Sequence, residues 1–112
     1  MEIIVADEDK SFPFYVWSGL LTPKHVERIG PAVWVFLWCI RRTTEEEGKE
    51  GIVNRGEPVK LTTIAKDLGY HLTRTCELVK RLRGAGYLRT KRTPRGLIIW
   101  VMKSKRRFKR IP

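Results

Sequence analysis

Apolar residues in the second half of the chain recur at the spacing of two short helices separated by a glycine. Ile64, Ala65 and Leu68 lie on one face of the first of these helices. Thr62 is its expected N-cap, and Gly69 is its expected end. The pattern therefore predicts a short helix that is followed directly by another.

The second predicted helix begins at about residue 71 or 72, and Gly84 and Gly86 close it. Its apolar residues fall at positions i, i+4, i+7 and i+10, which together form one face of a helix. We expect that face to point towards the core, and its members are Leu72, Cys76, Val79 and Leu82.

Strand-like segments occur both after and before this pair of helices. Residues 87–92 and 97–102 flank the turn-forming tetrapeptide TPRG at 93–96 and predict a two-stranded ribbon. Upstream, residues 52–53 and 59–61 are expected to form a small hairpin of their own.

The first half of the chain predicts two further helices. Thr22 and Pro23 are expected to open a short helix that Gly30 ends. The next helix, residues 31–40, is apolar around its whole circumference, so we expect it to be buried on every side. Residues 43–56 follow as a charged loop that contains glycine.

Residues 12–21 are too apolar for a free tail and are expected to lie against other protein. Either they cover the 31–40 helix within a monomer, or that helix and the N-terminal segment join two copies in a homodimer. The patterns divide the chain into an N-terminal arm or extension at 1–22, one domain at 23–103 and a flexible basic tail at 104–112.

The charge of the chain is distributed very unevenly. Its 112 residues give room for one compact domain and carry a net charge of +11. Residues 1–50 contain 6 Lys and Arg against 9 Asp and Glu, whereas residues 51–112 contain 17 against 3. Like charges concentrated in half of a small domain favour a polyanionic partner, with nucleic acid as the leading candidate. A generally solvated basic surface is the alternative that composition leaves open.

Enzymatic function finds no support in the sequence. His25 and His71 are the two histidines, and neither has Cys, Asp or Glu at metal-ligand spacing. The chain has no Walker loop, no GxGxxG motif after a strand and no GxSxG motif. We therefore expect no enzymatic activity, no catalytic residue, no cofactor, no metal site and no small-molecule ligand.

The sequence also argues against a membrane or secreted protein. The apolar stretch at 31–40 has about half of the roughly 20 residues that a membrane-spanning helix requires. No basic and apolar leader of the secretory type is evident. Cys39 and Cys76 show neither a metal-binding spacing nor a disulfide framework. We expect a cytoplasmic, nucleoid-associated protein with no membrane contact.

Helix, glycine turn, helix, glycine and then a basic hairpin is the order of elements in a winged helix-turn-helix. Residues 59–103 resemble that superfamily through LTTIAKDLGY at 61–70, LRGAGYL at 82–88 and the apolar spacing between them. The resemblance implies an α+β fold with a three-helix core and a small antiparallel sheet that includes the wing, here with an apolar N-terminal extension. It also implies that the second helix of the pair enters the DNA major groove.

If the apolar face points inward, the opposite face of that helix is expected to meet the edges of the bases. Arg74 can form two hydrogen bonds to guanine, and Glu77 can accept one from a cytosine amine. Alternatively, Glu77 pairs locally with Arg81, four residues later. The predicted recognition residues are Thr73, Arg74, Glu77, Lys80 and Arg81.

Basic residues outside the helix are expected to contact the phosphate backbone, where they would hold register without reading sequence. Those of the wing are Lys91, Arg92 and Arg95. The tail is expected either to add affinity through counterion release or merely to keep the chain soluble. Its cations are Lys105, Arg106, Arg107, Lys109 and Arg110.

Three further stretches are FYVWSGLL at 14–21, RIGPAVW at 28–34 and TPRGLII at 93–99. They look like the N-terminal DNA-binding region of replication initiator or replisome-organiser proteins of phages and bacterial mobile elements. In such proteins a further region engages the host replication machinery, so the resemblance implies either part of a longer protein or a small stand-alone binder.

The expected function is therefore the binding of double-stranded DNA. Residues 61–88 are also similar to bacterial transcription regulators, so replication and transcription both stay open. Some winged helices bind proteins instead of DNA, and a protein-interaction module is the alternative from a different class.

Overall fold

The computed structural model describes Phe14, Val16 and residues 20–47 and 50–102. These residues fold as α+β, with helices packed against one face of a four-stranded antiparallel sheet. This set of elements is compatible with a winged helix-turn-helix. The helices are α1 (Pro23–Ile29), α2 (Val33–Arg41), α3 (Leu61–Leu68) and α4 (Leu72–Gly84), with 3-10 turns at Gly30–Ala32 and Asn54–Gly56.

The helix boundaries follow start and stop residues in the sequence. Pro23 lies in the first turn of α1, and Gly30 ends that helix with a φ of 48°. Gly69 ends α3 in the left-handed conformation, which glycine adopts at no steric cost. The N-cap position of α3 is Lys60, so the prediction of Thr62 is wrong by two residues. Neither a threonine nor any other side chain caps this helix.

The sheet has the strand order β1-β2-β4-β3, and all its pairings are antiparallel. β3 and β4 form the ribbon that the sequence predicts, in register from Leu88 opposite Val101 to Thr93 opposite Gly96. We call this ribbon and its turn the wing. The strands are β1 (Thr43–Glu47), β2 (Glu50–Val53), β3 (Leu88–Thr93) and β4 (Gly96–Met102).

The first two strands correct two predictions. Residues 43–56, expected as a loop, contain the β1–β2 hairpin. The expected pairing of residues 52–53 with residues 59–61 is wrong, since Val59 pairs with Leu97 of the wing instead. No apolar alternation marks β1 in the sequence. It lies at the edge of the sheet, where its sequence TTEEE needs none.

The contact between Val59 and Leu97 fixes the base of the wing to the segment before α3. Each backbone amide donates to the other residue's carbonyl oxygen, at 2.7 and 2.8 Å. Gly96 lies beside this bridge with a φ of 141°, and a Cβ there would be 2.6 Å from the Val59 oxygen. The close approach of two backbones therefore requires glycine at this position.

The core forms between α2, the other helices and the sheet. Phe36 of α2 packs edge-to-face on Tyr87, and both side chains are fully buried. Trp34 is 58% exposed, so the expectation that this helix is buried on every side is wrong there. Apolar residues contribute much of any protein surface, so an all-apolar helix permits burial without requiring it.

The apolar N-terminal extension reaches the core at two points. Leu20 is buried, and Val16 packs against the core from a half-buried position. This supports the expectation that the segment covers part of the domain, although most of residues 12–19 lie outside the described residues. None of the helices in the described ranges has the length and apolarity needed to cross a bilayer.

Candidate nucleic-acid interface

The core-facing side of α4 differs from the predicted one. Leu72 is 46% exposed and Cys76 is also exposed, so the prediction that these two residues point inward is wrong. The side chains that α4 buries are Thr75, Leu78, Val79 and Leu82.

The error arose because two candidate stripes share Val79 and Leu82. One stripe continues through Leu72 and Cys76, and the other through Thr75 and Leu78. Thr75 is fully buried because its hydroxyl donates a hydrogen bond of 3.1 Å to the backbone oxygen of His71. An apolar pattern alone does not reveal that a hydroxyl is satisfied in this way.

The exposed side of α4 therefore also differs from the predicted one. At about 100° per residue, the observed buried face is rotated by about 55° from the predicted one. Thr73, Glu77 and Lys80 now lie nearest the centre of the exposed side, and Arg74 and Arg81 lie on one shoulder. All five predicted recognition residues are exposed.

Glu77 has a local cation partner, but a different one from the one considered in the sequence. The Nη1 atom of Arg74 lies 3.4 Å from the Oε1 atom of Glu77, across three residues of α4. Both side chains are about half exposed or more, so the pair is loosely held and available to an incoming ligand.

Arg81 has a contact that the sequence did not indicate. Its Nε atom donates to the backbone oxygen of Arg28 at 3.0 Å, and its Nη2 atom donates to that of Glu27 at 3.1 Å. These carbonyls belong to the last turn of α1, where helix geometry supplies no partner. The guanidinium therefore ties α4 to α1, even though the side chain is exposed.

The wing presents the three cations that the sequence assigns to it. Lys91 and Arg92 on β3 and Arg95 in the turn are all exposed. The turn is held by Thr93, whose hydroxyl donates to the Gly96 oxygen at 2.8 Å and accepts from the Arg95 amide at 3.2 Å. Arg95 therefore lies in a turn that is held by side-chain hydrogen bonds, and Lys91 and Arg92 lie on the strand that leads into it.

Two further arginines connect the wing to its neighbours. Arg83 of α4 donates to the Thr90 hydroxyl of β3 at 3.4 Å, which links the helix to the wing. Arg89 forms a two-pronged pair with Glu50 at 2.6 and 2.9 Å and lies over the Trp100 ring. The hydrogen bond from Arg89 lowers the pKa of Glu50 below its ordinary value.

The cysteines and histidines of the described ranges are divided among α1, α2 and α4. Burial raises the pKa of the Cys39 thiol to about 12, whereas Cys76 is exposed on α4. His71 is the N-cap of α4, and His25 hydrogen-bonds the Tyr87 hydroxyl. Among residues 20–47 and 50–102, no three His, Cys, Asp or Glu side chains are grouped as metal ligands.

The predicted basic tail, from Lys105 to Arg110, lies outside the described residues. In contrast, the structure brings Arg42 and Lys60 close to the wing turn, where they line a cleft with Arg95. No pattern in the sequence indicates this cleft, because Arg42 and Arg95 are more than 50 residues apart and meet only through the fold.

No protein-family model and no solved structure matches the chain. It is similar to the phage-like element PBSX protein XkdB of Bacillus subtilis, with 39% identity over 102 residues. The matched region covers 88% of this chain and 37% of that relative, so the chain spans little more than a third of the relative's length.

Proposed function

We propose that this chain binds duplex DNA as a winged helix-turn-helix. In this proposal the exposed side of α4 enters the major groove, and the wing lies on the flanking phosphate backbone. The observation that carries it is that all five predicted recognition residues of α4 and all three wing cations are exposed. The 13 residues of α4 give a rod that fits a groove about 12 Å wide.

The charges of these surfaces favour a polyanion as the partner. Lys91, Arg92 and Arg95 form no ion pair with any residue that the structure describes. Glu77, the acidic residue on the exposed side of α4, is already matched by Arg74. An approaching phosphate backbone would therefore meet cations that are free to bind it.

The biological setting we propose is a prokaryotic or phage mobile element, with this chain as the DNA-binding region of a replication initiator. The similarity to a protein of a phage-like element supports this setting. A small transcription regulator is the alternative within DNA binding, and a protein-interaction winged helix is the alternative outside it. In the DNA-binding cases the protein would act at the nucleoid.

Salt dependence separates DNA binding from protein binding. If about six phosphates are neutralised, the logarithm of duplex affinity should fall against the logarithm of salt concentration with a slope near −5. The measurement is fluorescence anisotropy of a labelled duplex at several salt concentrations. A slope near zero, or no binding, would favour the acidic protein partner.

Cys76 offers a direct test of where the duplex lies. It is exposed on α4, whereas Cys39 is buried with a raised pKa, so a maleimide should label Cys76 alone. Saturating duplex should slow that reaction, and the Cys76→Ser variant should show no labelling in the folded state. An unchanged rate with duplex bound would place the DNA on another surface.

We also propose a homodimer through the N-terminal segment and the helix at residues 31–40. Leu21, Val26 and Trp34 are 81%, 64% and 58% exposed, and large apolar side chains in solvent favour association. Two copies would present their recognition helices to half-sites about one DNA turn apart. Light scattering at low micromolar concentration tests this, since a 13.1 kDa species throughout would exclude the dimer.

Selection of binding sites from random duplexes would then identify the process. A palindromic site would indicate the dimer, and a direct repeat would indicate an array of the kind found at replication origins. An absence of enrichment would indicate binding through the backbone alone.

A further inference from the structure

A cleft with a volume of about 340 Å³ opens beside the wing turn. It lies where the C-terminal end of α2, residues 54–60, the first turn of α3 and the wing meet. None of the residues that line this cleft belongs to α4. Its lining includes the polar and charged side chains of Arg42, Glu57, Lys60, Thr63 and Arg95.

Arg42 is held in place at the wall of this cleft by two neighbours. Asp67 accepts a hydrogen bond of 2.9 Å from the Trp38 indole and one of 3.1 Å from the Nη2 atom of Arg42, both at the same carboxylate oxygen. The guanidinium also lies over the Trp38 ring, 4.6 Å from its centre. Its orientation is therefore fixed before any ligand arrives.

The same guanidinium has an unused donor. The Nε atom of Arg42 is shielded from water and has no hydrogen-bond partner among the described residues. A buried donor without an acceptor is uncommon in folded proteins, so the contact with Asp67 leaves the guanidinium of Arg42 incompletely satisfied.

The other cations of the cleft are unpaired in the described ranges. Lys60 and Arg95 are exposed, and neither forms an ion pair with a described residue. Glu57 is the one carboxylate among the lining residues, and Asp67 pairs with Arg42 from outside the lining, so three cations outnumber two carboxylates at the cleft. The cleft is therefore suited to an anion.

Two features point to a phosphodiester of a DNA backbone and away from a free nucleotide. Trp38 is only 5% exposed and is covered by Arg42, so it offers no surface on which a base could stack. Arg95 belongs both to the cleft and to the wing, which makes the cleft continuous with the surface proposed to follow the backbone.

We propose that this cleft receives one phosphate of the bound duplex, with Arg42, Lys60 and Arg95 as its cationic ligands and the Thr63 hydroxyl as a further donor. The assignment rests on the DNA-binding function proposed above and deepens it. It adds a phosphate contact anchored on α2 and α3, which α4 and the wing strands do not supply.

The test compares Lys60→Gln with Lys66→Gln. Both lysines are exposed and belong to the N-cap or body of α3, but only Lys60 lines the cleft. Loss of one phosphate contact makes the slope of log affinity against log salt concentration shallower by about 0.9. Relative to 1 M salt, this corresponds to about eightfold in affinity at 0.1 M salt. We expect Lys60→Gln to lose about that much and to have a shallower slope, whereas Lys66→Gln keeps wild-type values.

A second arm identifies the phosphate itself. Duplexes with a single uncharged methylphosphonate are titrated with wild type and with Lys60→Gln. At one backbone position the two losses should fail to add, because the contact they remove is the same. Additive losses at every position would overturn the assignment, as would equal affinities of the two lysine variants.

Failure of the cleft site and failure of the DNA-binding function on which it rests give different results. Wild-type duplex binding that is insensitive to Lys60→Gln overturns the cleft site and leaves DNA binding in place. No duplex binding by the wild type overturns both. Inorganic phosphate that perturbs the NMR signals of Lys60 without competing with duplex would assign the cleft to a free anion and overturn the backbone contact.

Discussion

The guanidinium of Arg81 in α4 donates a hydrogen bond of 3.0 Å to the backbone oxygen of Arg28 at the end of α1. A positive charge at this point also opposes the negative end of the α1 dipole. Gly30 lies beside this contact, and a Cβ there would be 3.3 Å from the guanidinium. The helix proposed to enter DNA is thus fixed to the N-terminal part of the domain by one of its own predicted recognition residues.

The Arg81→Ala substitution should therefore reduce stability. It removes two hydrogen bonds from a charged donor, so we expect the free energy of unfolding to fall by about 1 to 2 kcal/mol. Arg81→Lys should restore little of this, because one ammonium group cannot reach both carbonyls in the same geometry. Urea unfolding followed by circular dichroism measures the change.

Arg74→Ala is the matched control, since Arg74 is exposed on the same shoulder of α4 and, among the described residues, pairs only with Glu77. We expect its stability to stay within about 0.5 kcal/mol of wild type. If Arg81→Ala kept wild-type stability and lost duplex affinity, Arg81 would be a DNA ligand and its contact with α1 would be incidental.

Gly96→Ala should weaken the base of the wing. The new Cβ would lie 2.6 Å from the Val59 oxygen, and the φ of 141° is unfavourable for alanine. We expect a loss of about 2 kcal/mol or more in the free energy of unfolding. Gly84→Ala is the control, because a Cβ added there would meet no atom within 4 Å beyond its chain neighbours and the backbone of its own helix, and its φ is not in the positive range. That variant should be neutral or slightly more stable, as alanine favours helix.

The features that the sequence predicts correctly are those that depend on local chemistry. Gly69 between two short apolar repeats gave the helix pair, and the TPRG turn gave the wing. The errors arise where the deciding interaction leaves no mark on the apolar pattern. Thr75 is buried because a backbone oxygen satisfies it, and β1 is polar because it lies at an edge.

The candidate site shows the same division between local and distant information. The wing cations are exposed on the ribbon and its turn, both of which the local sequence predicts. The cleft at Arg42 depends instead on Asp67 and Trp38, which meet through the packing of α2 on α3. No periodicity in one segment carries that information.

The pair formed by Glu50 and Arg89 should make stability depend on acid pH. The hydrogen bond from Arg89 lowers the pKa of Glu50 in the folded protein below its usual value of 4.5. The pair therefore stabilises the fold above that value, and its contribution is lost as the pH falls through the lower pKa of the folded state. Since both side chains are partly exposed, the contribution is about 1 kcal/mol or less.

The measurement is the free energy of unfolding of wild type and Glu50→Gln at several pH values. The difference between the two proteins should be constant near neutrality and should shrink below pH 4.5. A difference that stayed constant into strong acid would show that the pair does not link β2 to β3.

Glu77 pairs with Arg74, which is also a predicted base contact. If Glu77 reads a cytosine amine, Glu77→Gln should broaden preference at one base pair while raising affinity for all duplexes, because it removes a negative charge near phosphates. If Glu77 only orients Arg74, the same substitution should broaden preference at the position that Arg74→Ala affects, and nowhere else. Binding-site selection with each variant distinguishes the two roles.

Arg74→Ala should relax preference at one base, at a cost of about 1 to 3 kcal/mol in discrimination, whereas Arg107→Ala in the basic tail should weaken all sequences alike. The reverse pattern would mean that the surface reading sequence and the surface holding the backbone have been exchanged.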